Sequence, residues 1–438
     1  MNVKRMISGI SLMMSVAVAF SNCPLSFKGS NVASIGVYIA PLDATKAATY
    51  NYQSDRLLTP ASVMKSVTVA AALKEKGGDY KWETKVMAVG KIQDGTLHGN
   101  IIIEGSGDPT LGSKYFSEDQ PDFLQMVSES LKRHGIQRVE GRTIASQAWP
   151  DEGAVPSWEL EDVPGIDGAG FYRLNWSDNV FTLMVPSMVA TPSIPNLNVQ
   201  WKKSSSGLSA WRNPGSDDIT ISGQLGKKQT RAALRLSMPN PTSVLVSKID
   251  SIACSQNSKV STSGDTTVLL TYTSPALRDV TRSLMIRSDN QMAEATQRLL
   301  APGRTRSAAI AAERKALEGV PMQYMRIADG SGLSRHNAIS PRQLAEVLRF
   351  MARNTDYVSS FARVGQDGST IRSLMKDVPG RENFLLKSGS MTGVVCYCGY
   401  RIDPQTKLPS HVIAIMVNNA PDSTEVRKAI SALLATVR

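Results

Sequence analysis

The sequence predicts an α/β protein, more closely an α+β one, in which one domain is split by a large β-rich insert. Three observations carry this. The chain has 438 residues, too many for one ordinary core, so two or three domains are expected. Apolar residues recur at helical spacing towards both ends. Between about residue 86 and residue 272 the pattern changes to short β-like runs punctuated by glycine. The expected division is a leader over 1–19, a split domain over 20–85 and 273–438, and an inserted β-rich part, of one or two small domains, over 86–272.

The leader is read from Lys4 and Arg5, followed by an apolar stretch of about 15 residues ending at Phe20, too short for a comfortable membrane span. Ala17-Val18-Ala19 matches a small-x-small cleavage pattern, so a secretory signal peptide cut near Ala19 is expected. A buried N-terminal helix is the competing reading. A lipidated Cys23 is a third, against which Phe20-Ser21-Asn22 makes a poor lipobox. Val32 to Ile39 reads as a strand. Thr59 is expected to cap a helix that has Pro60 in its first turn and runs to about Leu73, ended by Gly77-Gly78. In the insert, Asn100–Glu104 reads as a strand, Asp122 to Arg133 as the one clear helix, and Ser204-Ser205-Ser206-Gly207 as a surface loop. Leu277, Val280, Leu284 and Met285 resume helical spacing, Gln291 to Leu300 continue it after a break, and Arg342 to Arg353 form another helix. The end reads as strand Gly393–Ile402, strand His411–Val417 and helix Ser423–Val437.

A chain that is 42% hydrophobic and 20% charged is globular, which excludes disorder as its main state. Its formal charge of +11 would attract polyanions. The excess is spread out, Lys202-Lys203 and Lys227-Lys228 being the nearest runs, and there is no nucleic-acid motif. No nucleic-acid partner is expected, and a peripheral membrane or cell-wall association is compatible with the charge. Cys23, Cys254, Cys396 and Cys398 permit disulfides without showing them. Cys396 and Cys398 share one face of a strand and read as small buried hydrophobes. The four scattered histidines do not supply a metal set, and neither metal nor cofactor is expected.

The chemistry is carried by three short motifs in order. Ser62-Val63-Met64-Lys65 is an S-x-x-K pattern. On a helix, i and i+3 share a face, which puts the Lys65 amine within reach of the Ser62 hydroxyl. Serine is a weak nucleophile until a base takes its proton, and a lysine can be that base when burial and neighbouring cations lower its pKa. Alone the pattern is weak, and the chain holds a second at Ser373-Leu374-Met375-Lys376. The context comes from Ser288-Asp289-Asn290, an S-x-N element, and Lys387-Ser388-Gly389, a K-S/T-G element, which complete the set of the penicilloyl-serine enzymes. Ser288 can relay a proton to the leaving group. Asn290 can bind Lys65 and a substrate amide. Lys387 adds positive charge and is expected to help keep Lys65 neutral. The strand after Lys387 offers a backbone N–H, that of Ser390, as an oxyanion donor beside the N–H of Ser62. Ser177-Asp178-Asn179 repeats the S-D-N tripeptide inside the insert, where it reads as a turn, and Ser373 fails on order.

With these motifs the chain resembles the D-alanyl-D-alanine carboxypeptidase/endopeptidases of the class C low-molecular-mass penicillin-binding proteins. The stretches that carry the resemblance are 60–65, 99–111, 288–294, 329–335 and 387–390, which span nearly the whole mature chain. The resemblance implies a β-lactamase/transpeptidase-like catalytic domain of sheet flanked by helices, with extra domains filling the long gap between Ser62 and Ser288. It implies hydrolysis of peptidoglycan stem peptides ending in D-Ala-D-Ala through an acyl-enzyme on Ser62, periplasmic action, β-lactams as covalent inhibitors, and endopeptidase activity as an addition. Ser388 stands where threonine is usual, and its hydroxyl can equally bind a carboxylate, with Gly389 and Ser390 beside it. Relatives place an aspartate over the site to hold the amino end of the peptide, and Asp162 fits that spacing from Trp158. The residues after it, 163–167, depart from the pattern, and a solvated loop carboxylate is the competing reading. Asp329–Arg335 reads as a tight turn or an anion cradle. A β-lactamase, and a non-catalytic cell-wall binding protein on the same scaffold, are the alternative functions.

Overall fold

A computed structural model describes residues 22–118, 120–260 and 264–437. The expected signal peptide over 1–19 lies outside these residues. The chain opens with strands β1 (Ser34–Pro41) and β2 (Tyr50–Tyr52), a 3₁₀ turn over Ala61–Met64, and helix α1 (Lys65–Lys76). Next come β3 (Glu83–Gln93), β4 (Thr96–Glu104), α2 (Phe123–Arg133), β5 (Arg138–Val139) and β6 (Thr143–Ala145). They lead to β7 (Val180–Val185), β8 (Val189–Thr191), β9 (Asn198–Gly207), β10 (Ser209–Trp211), β11 (Asp218–Gln224), β12 (Ala232–Ser237), α3 (Pro241–Ile252) and β13 (Thr266–Thr273). Helices α4 (Leu277–Arg287), α5 (Asn290–Arg298), α6 (Arg306–Ala316), α7 (Pro341–Met351) and α8 (Thr355–Ser360) follow. Strands β14 (Ala362–Arg363), β15 (Phe384–Met391), β16 (Val394–Ile402) and β17 (Pro409–Asn418) and helix α9 (Ser423–Ala435) complete the chain.

The two ends of the sequence build one antiparallel sheet in the order β14-β15-β16-β17-β1-β2. One face packs on α1, α4, α5 and α7 through residues such as Val67, Leu284, Met292 and Leu348. The other packs under α9 through Val426, Ile430 and Leu434. Burial on both faces explains why β16 and β17 read as near-continuous apolar runs instead of alternating ones. Cys396 and Cys398 lie in this core, and all four cysteines are free thiols. Cys23 is half-buried, and its thiol donates to the Leu25 carbonyl at 3.4 Å.

The middle of the chain has its own core and three further sheets. Its first and last strands, β3 and β13, pair antiparallel, with Glu83 opposite Thr273. At the junction the Ser274 hydroxyl accepts the Trp82 N–H at 2.9 Å, and Ser274 N–H donates to the Trp82 carbonyl at 3.0 Å. An excursion that leaves and returns at one point does not force the host sheet apart.

Several local expectations are corrected. Thr59 does not cap the helix. Its N–H and carbonyl are both taken by the Asn418 side chain, at 2.7 and 3.0 Å, and the helix enters through a 3₁₀ turn after Pro60. Ser204–Gly207 is strand, the exposed end of β9, which pairs with β11 over residues 198–202 and again at Gly207, a partner that composition does not reveal. Helix α3 was hidden among β-like runs. It starts with Asn240 accepting the Ser243 N–H and Pro241 in the first turn, signals that are short and easily missed. Among the described residues no helix is long and apolar enough to cross a membrane.

Candidate active site

The 3₁₀ turn that carries Ser62 is wedged between β15 and a glycine-rich turn. A Cβ on Gly389 would fall 2.6 Å from the Pro60 carbonyl and 3.0 Å from the Ser62 nitrogen, so only glycine lets the strand come this close. Gly332, at φ +82, sits against the Ala61 carbonyl in the same way. Ala61 itself is left-handed at φ 48, a strained conformation held by these neighbours.

Lys65 is fully buried at the start of α1. Its amine lies 3.0 Å from the Ser62 hydroxyl, 2.6 Å from Oδ1 of Asn290 and 2.7 Å from the Ser331 carbonyl. The last two can only accept. A neutral amine has two hydrogens and one lone pair; with both hydrogens given to Asn290 and Ser331, the lone pair faces Ser62. Asn290 is oriented by its other end, which donates to the Asp167 carbonyl at 2.9 Å. Burial lowers the Lys65 amine to about 8, opposed by the carboxylates of Asp329, Asp289, Glu294 and Asp167.

Ser288 ends α4 in the left-handed conformation at φ 65, and Asp289 caps α5 by accepting the Met292 N–H. The break turns the Ser288 hydroxyl towards Lys387, whose amine donates to it at 2.9 Å and to the Ser388 carbonyl at 2.6 Å. Lys387 is also buried, and its amine is pushed well below its ordinary range, by burial first and by Lys65 second. Burial is the largest cause lowering Lys65, and the two buried amines repel one another.

Ser388 shares a 2.6 Å hydrogen bond with Thr370. The Ser390 hydroxyl accepts from Arg427 of α9 at 3.1 Å. Strand β14 pairs with Leu385 and Leu386, so among the described residues the outer edge of β15 from Ser388 onwards is open. That edge borders a cleft of about 500 Å³, into which Ser62, Ser288, Asn290, Ser388, Gly389 and Ser390 all face.

Asp162 borders the same cleft, half-buried, with Glu159 and Asp167 beside it. Burial and these two carboxylates raise its pKa. The loop is tied down by Trp158, whose indole N–H donates to Asp329 at 2.8 Å, and by an Arg335–Glu159 ion pair at 2.6 Å. Asp329 also accepts from the Gly332 and Ser334 N–H groups and the Asn337 amide, each at 2.7 Å. The segment 329–335 is thus a turn wound round a buried carboxylate, and it presents the Ser331 carbonyl to Lys65 instead of cradling an anion.

Sequence reasoning missed Thr370, Arg427, Asp167 and the Ser331 carbonyl. The carbonyls of Asp167 and Ser331 that orient Asn290 and Lys65 are backbone atoms, which leave no residue-type signal. The rival Ser373-Leu374-Met375-Lys376 lies in a turn region and is brought to neither Lys387 nor Ser288. Among the described residues no group of three or more His, Cys, Asp or Glu side chains could hold a metal ion.

A family model for the D-Ala-D-Ala carboxypeptidase 3 (S13) family matches residues 28–437. The chain is 23% identical over 407 residues to the D-alanyl-D-alanine carboxypeptidase DacB of Haemophilus influenzae, covering 85% of this chain and 82% of that one. It is 25% identical over 446 residues to a D-alanyl-D-alanine carboxypeptidase of Actinomadura sp. strain R39, covering 90% and 79%. Among solved structures, penicillin binding protein 4 (dacB) from Haemophilus influenzae superposes with a TM-score of 0.77 at 20% identity, over 94% of this chain and 96% of that one. The predatory endopeptidase Bd0816 of Bdellovibrio bacteriovorus shares the fold at a TM-score of 0.52 and 15% identity, over 92% and 93%.

Proposed function

The chain belongs to the D-Ala-D-Ala carboxypeptidase 3 (S13) family, and from that premise we propose that Ser62 is its nucleophile and Lys65 the base that activates it. The protein is a serine D-Ala-D-Ala carboxypeptidase that binds penicillin. The observation that carries the assignment is the Lys65 amine, buried, with two obligate acceptors and Ser62 in its third position.

A stem peptide lies along the open edge of β15. Its carboxylate is held by Ser388 and Thr370, and its scissile carbonyl oxygen by the N–H groups of Ser62 and Ser390. Ser62 Oγ bonds to the penultimate D-Ala carbonyl carbon while its proton passes to Lys65. The proton taken up by Lys65 is relayed through Ser288, steered by Lys387, to the departing amine as the C–N bond breaks, so that D-Ala leaves and Lys65 is neutral again. Water, deprotonated at the same base, then cleaves the acyl-enzyme. A β-lactam opens its ring at the same serine and stays attached. Asp162, with Glu159 and Asp167, offers negative charge to an amino group on the acyl side of the peptide. Such a substrate places the enzyme in the periplasm, where a leader over 1–19 would direct it.

A second activity is favoured by the shape of the cleft. Past Ser388 it shares Thr370, Tyr397 and Arg427 with a further hollow of about 560 Å³ running along α9, room for a leaving group larger than D-Ala. We therefore include cleavage of cross-links. Mass spectrometry of muropeptides before and after incubation separates the two: loss of one alanine reports the carboxypeptidase, conversion of dimers to monomers the endopeptidase. Fluorescent penicillin should label the wild type and not Ser62→Ala. Labelling that persists in the variant would sink the nucleophile assignment. Sustained β-lactam turnover of about one per second or more would move the protein to the β-lactamases.

A further inference from the structure

We propose that Glu313 of α6 is carried as the neutral acid and is a positioning residue for Lys65, acting through Thr68 and the Gly330–Ser331 peptide. The proposal rests on the Ser62–Lys65 assignment above and adds a residue that no motif marks.

Proton counting carries it. Thr68 lies on α1 one turn after Lys65, and its hydroxyl is 2.9 Å from the Gly330 carbonyl and 3.1 Å from Oε1 of Glu313. A hydroxyl has one hydrogen. The Gly330 carbonyl can only accept, so that hydrogen goes to Gly330. The Glu313 contact is then a hydrogen bond only if the carboxyl brings its own proton. Oε2 accepts from the Gln297 amide at 2.6 Å, leaving Oε1 as the protonated oxygen.

The surroundings agree. Glu313 is fully buried and forms no ion pair among the described residues, whereas the neighbouring buried Glu294 of α5 is paired with Arg306 at 2.8 Å. Burial raises Glu313 to about 7; Glu294 adds to the rise, while Arg314 on its own helix and the bond from Gln297 oppose it. The charged groups around this pocket are thus Glu294 on α5, Arg306 and Arg314 on α6, and Lys65 on α1.

The consequence falls on one peptide. Glu294 Oε1 accepts the N–H groups of Gly330 and Ser331 at 3.0 and 2.9 Å, Thr68 holds the Gly330 carbonyl, and the next carbonyl, Ser331, receives Lys65. Glu313 thereby fixes an acceptor on which the direction of the Lys65 lone pair depends. Held neutral, it also adds no further negative charge to a site whose base must lose its proton.

The test uses the full chain with Glu313→Gln, Glu313→Ala and Thr68→Val. Glutamine keeps a neutral donor. It should hold penicillin acylation and D-Ala release within about threefold of wild type, while alanine lowers kcat about tenfold or more with KM little changed. Thr68→Val, nearly isosteric, should match the alanine variant and carries the test if Glu313→Ala does not fold. Infrared spectra at pH 6 should show a protonated-carboxyl band that Glu313→Gln removes. A glutamine variant as impaired as alanine, a Thr68→Val enzyme with wild-type kcat, or no band lost would each overturn the proposal. Because the band is read without substrate, its absence condemns Glu313, whereas a wild type that fails to acylate condemns the nucleophile assignment.

Discussion

At Ser288-Asp289-Asn290 the chain breaks between two helices, and each polar side chain is spent on a different neighbour: the serine on Lys387, the aspartate on the start of α5, the asparagine on Lys65. At Ser177-Asp178-Asn179 the same three residues form a tight turn in which all three are left-handed, at φ 54, 57 and 53. There Asn179 accepts the Trp176 N–H at 2.9 Å and donates to the Gly170 carbonyl and to Asn175, while Asp178 takes the Ser113 hydroxyl. One copy hands its hydrogen bonds to two distant lysines; the other closes them within its own loop and the insert around it. The two are also near each other, since both aspartates act on the Arg287 guanidinium at the cleft rim. A tripeptide therefore acquires chemistry from what the fold places opposite it.

The comparison can be broken by substitution. Ser288→Ala or Asn290→Ala should lower the acylation rate about 10²–10³-fold with a nearly unchanged melting temperature, because proton transfer is what each supports. Penicillin acylation kinetics and calorimetry check this. Wild-type acylation in either variant would mean that the first copy is as structural as the second.

The next largest effect is in pH. Lys65 must be neutral to take the Ser62 proton, and its amine titrates at about 8. The acylation rate should rise about tenfold per unit up to pH 8 and then level off, so pH 6 should be about a hundredfold below the plateau. A flat profile from pH 6 to 9 would remove Lys65 as the base.

Effects on the second copy should appear as stability instead of rate. Asn179→Ala leaves several buried groups without partners and should cost about 3 kcal/mol in denaturant unfolding, with kcat/KM within about threefold of wild type. Asp178 gives a signed version. Burial raises its pKa to about 6, so the folded protein holds a proton that the unfolded chain releases near pH 4. Its contribution is complete in acid and is lost as the pH rises through about 4 to 6. Asp178→Asn should abolish that slope and stabilise the protein at pH 7 by up to about 3 kcal/mol.

Asp162→Asn should be mildest: a few-fold rise in KM for peptides with a free amino group near the acyl end, and no change in penicillin acylation. An equal change for both substrates would mean that the carboxylate does not read the amino group.

Much was legible in the sequence because it is local. The helix of Asp122–Arg133, the strands at 393–402 and 411–417 and the final helix follow from caps and hydrophobic period. The order of Ser62, Lys65, Ser288, Asn290 and Lys387, and with it the family, also follows from residue types alone. The entry to α1 was misread because Asn418, some 360 positions away, takes the backbone of Thr59. The end of β9 was misread because its polar serines lie between two stretches that pair with β11, a partner set by the fold and not by composition.

What the sequence determined by itself is which residue types are available and in what order. What tertiary structure decided is their state and use: that burial is the largest cause lowering Lys65; that Ser331 serves through its carbonyl; and that of two identical tripeptides only one meets the lysines. The physical reason is that desolvation and hydrogen-bond direction depend on the groups packed around a side chain, and these come from segments hundreds of residues apart.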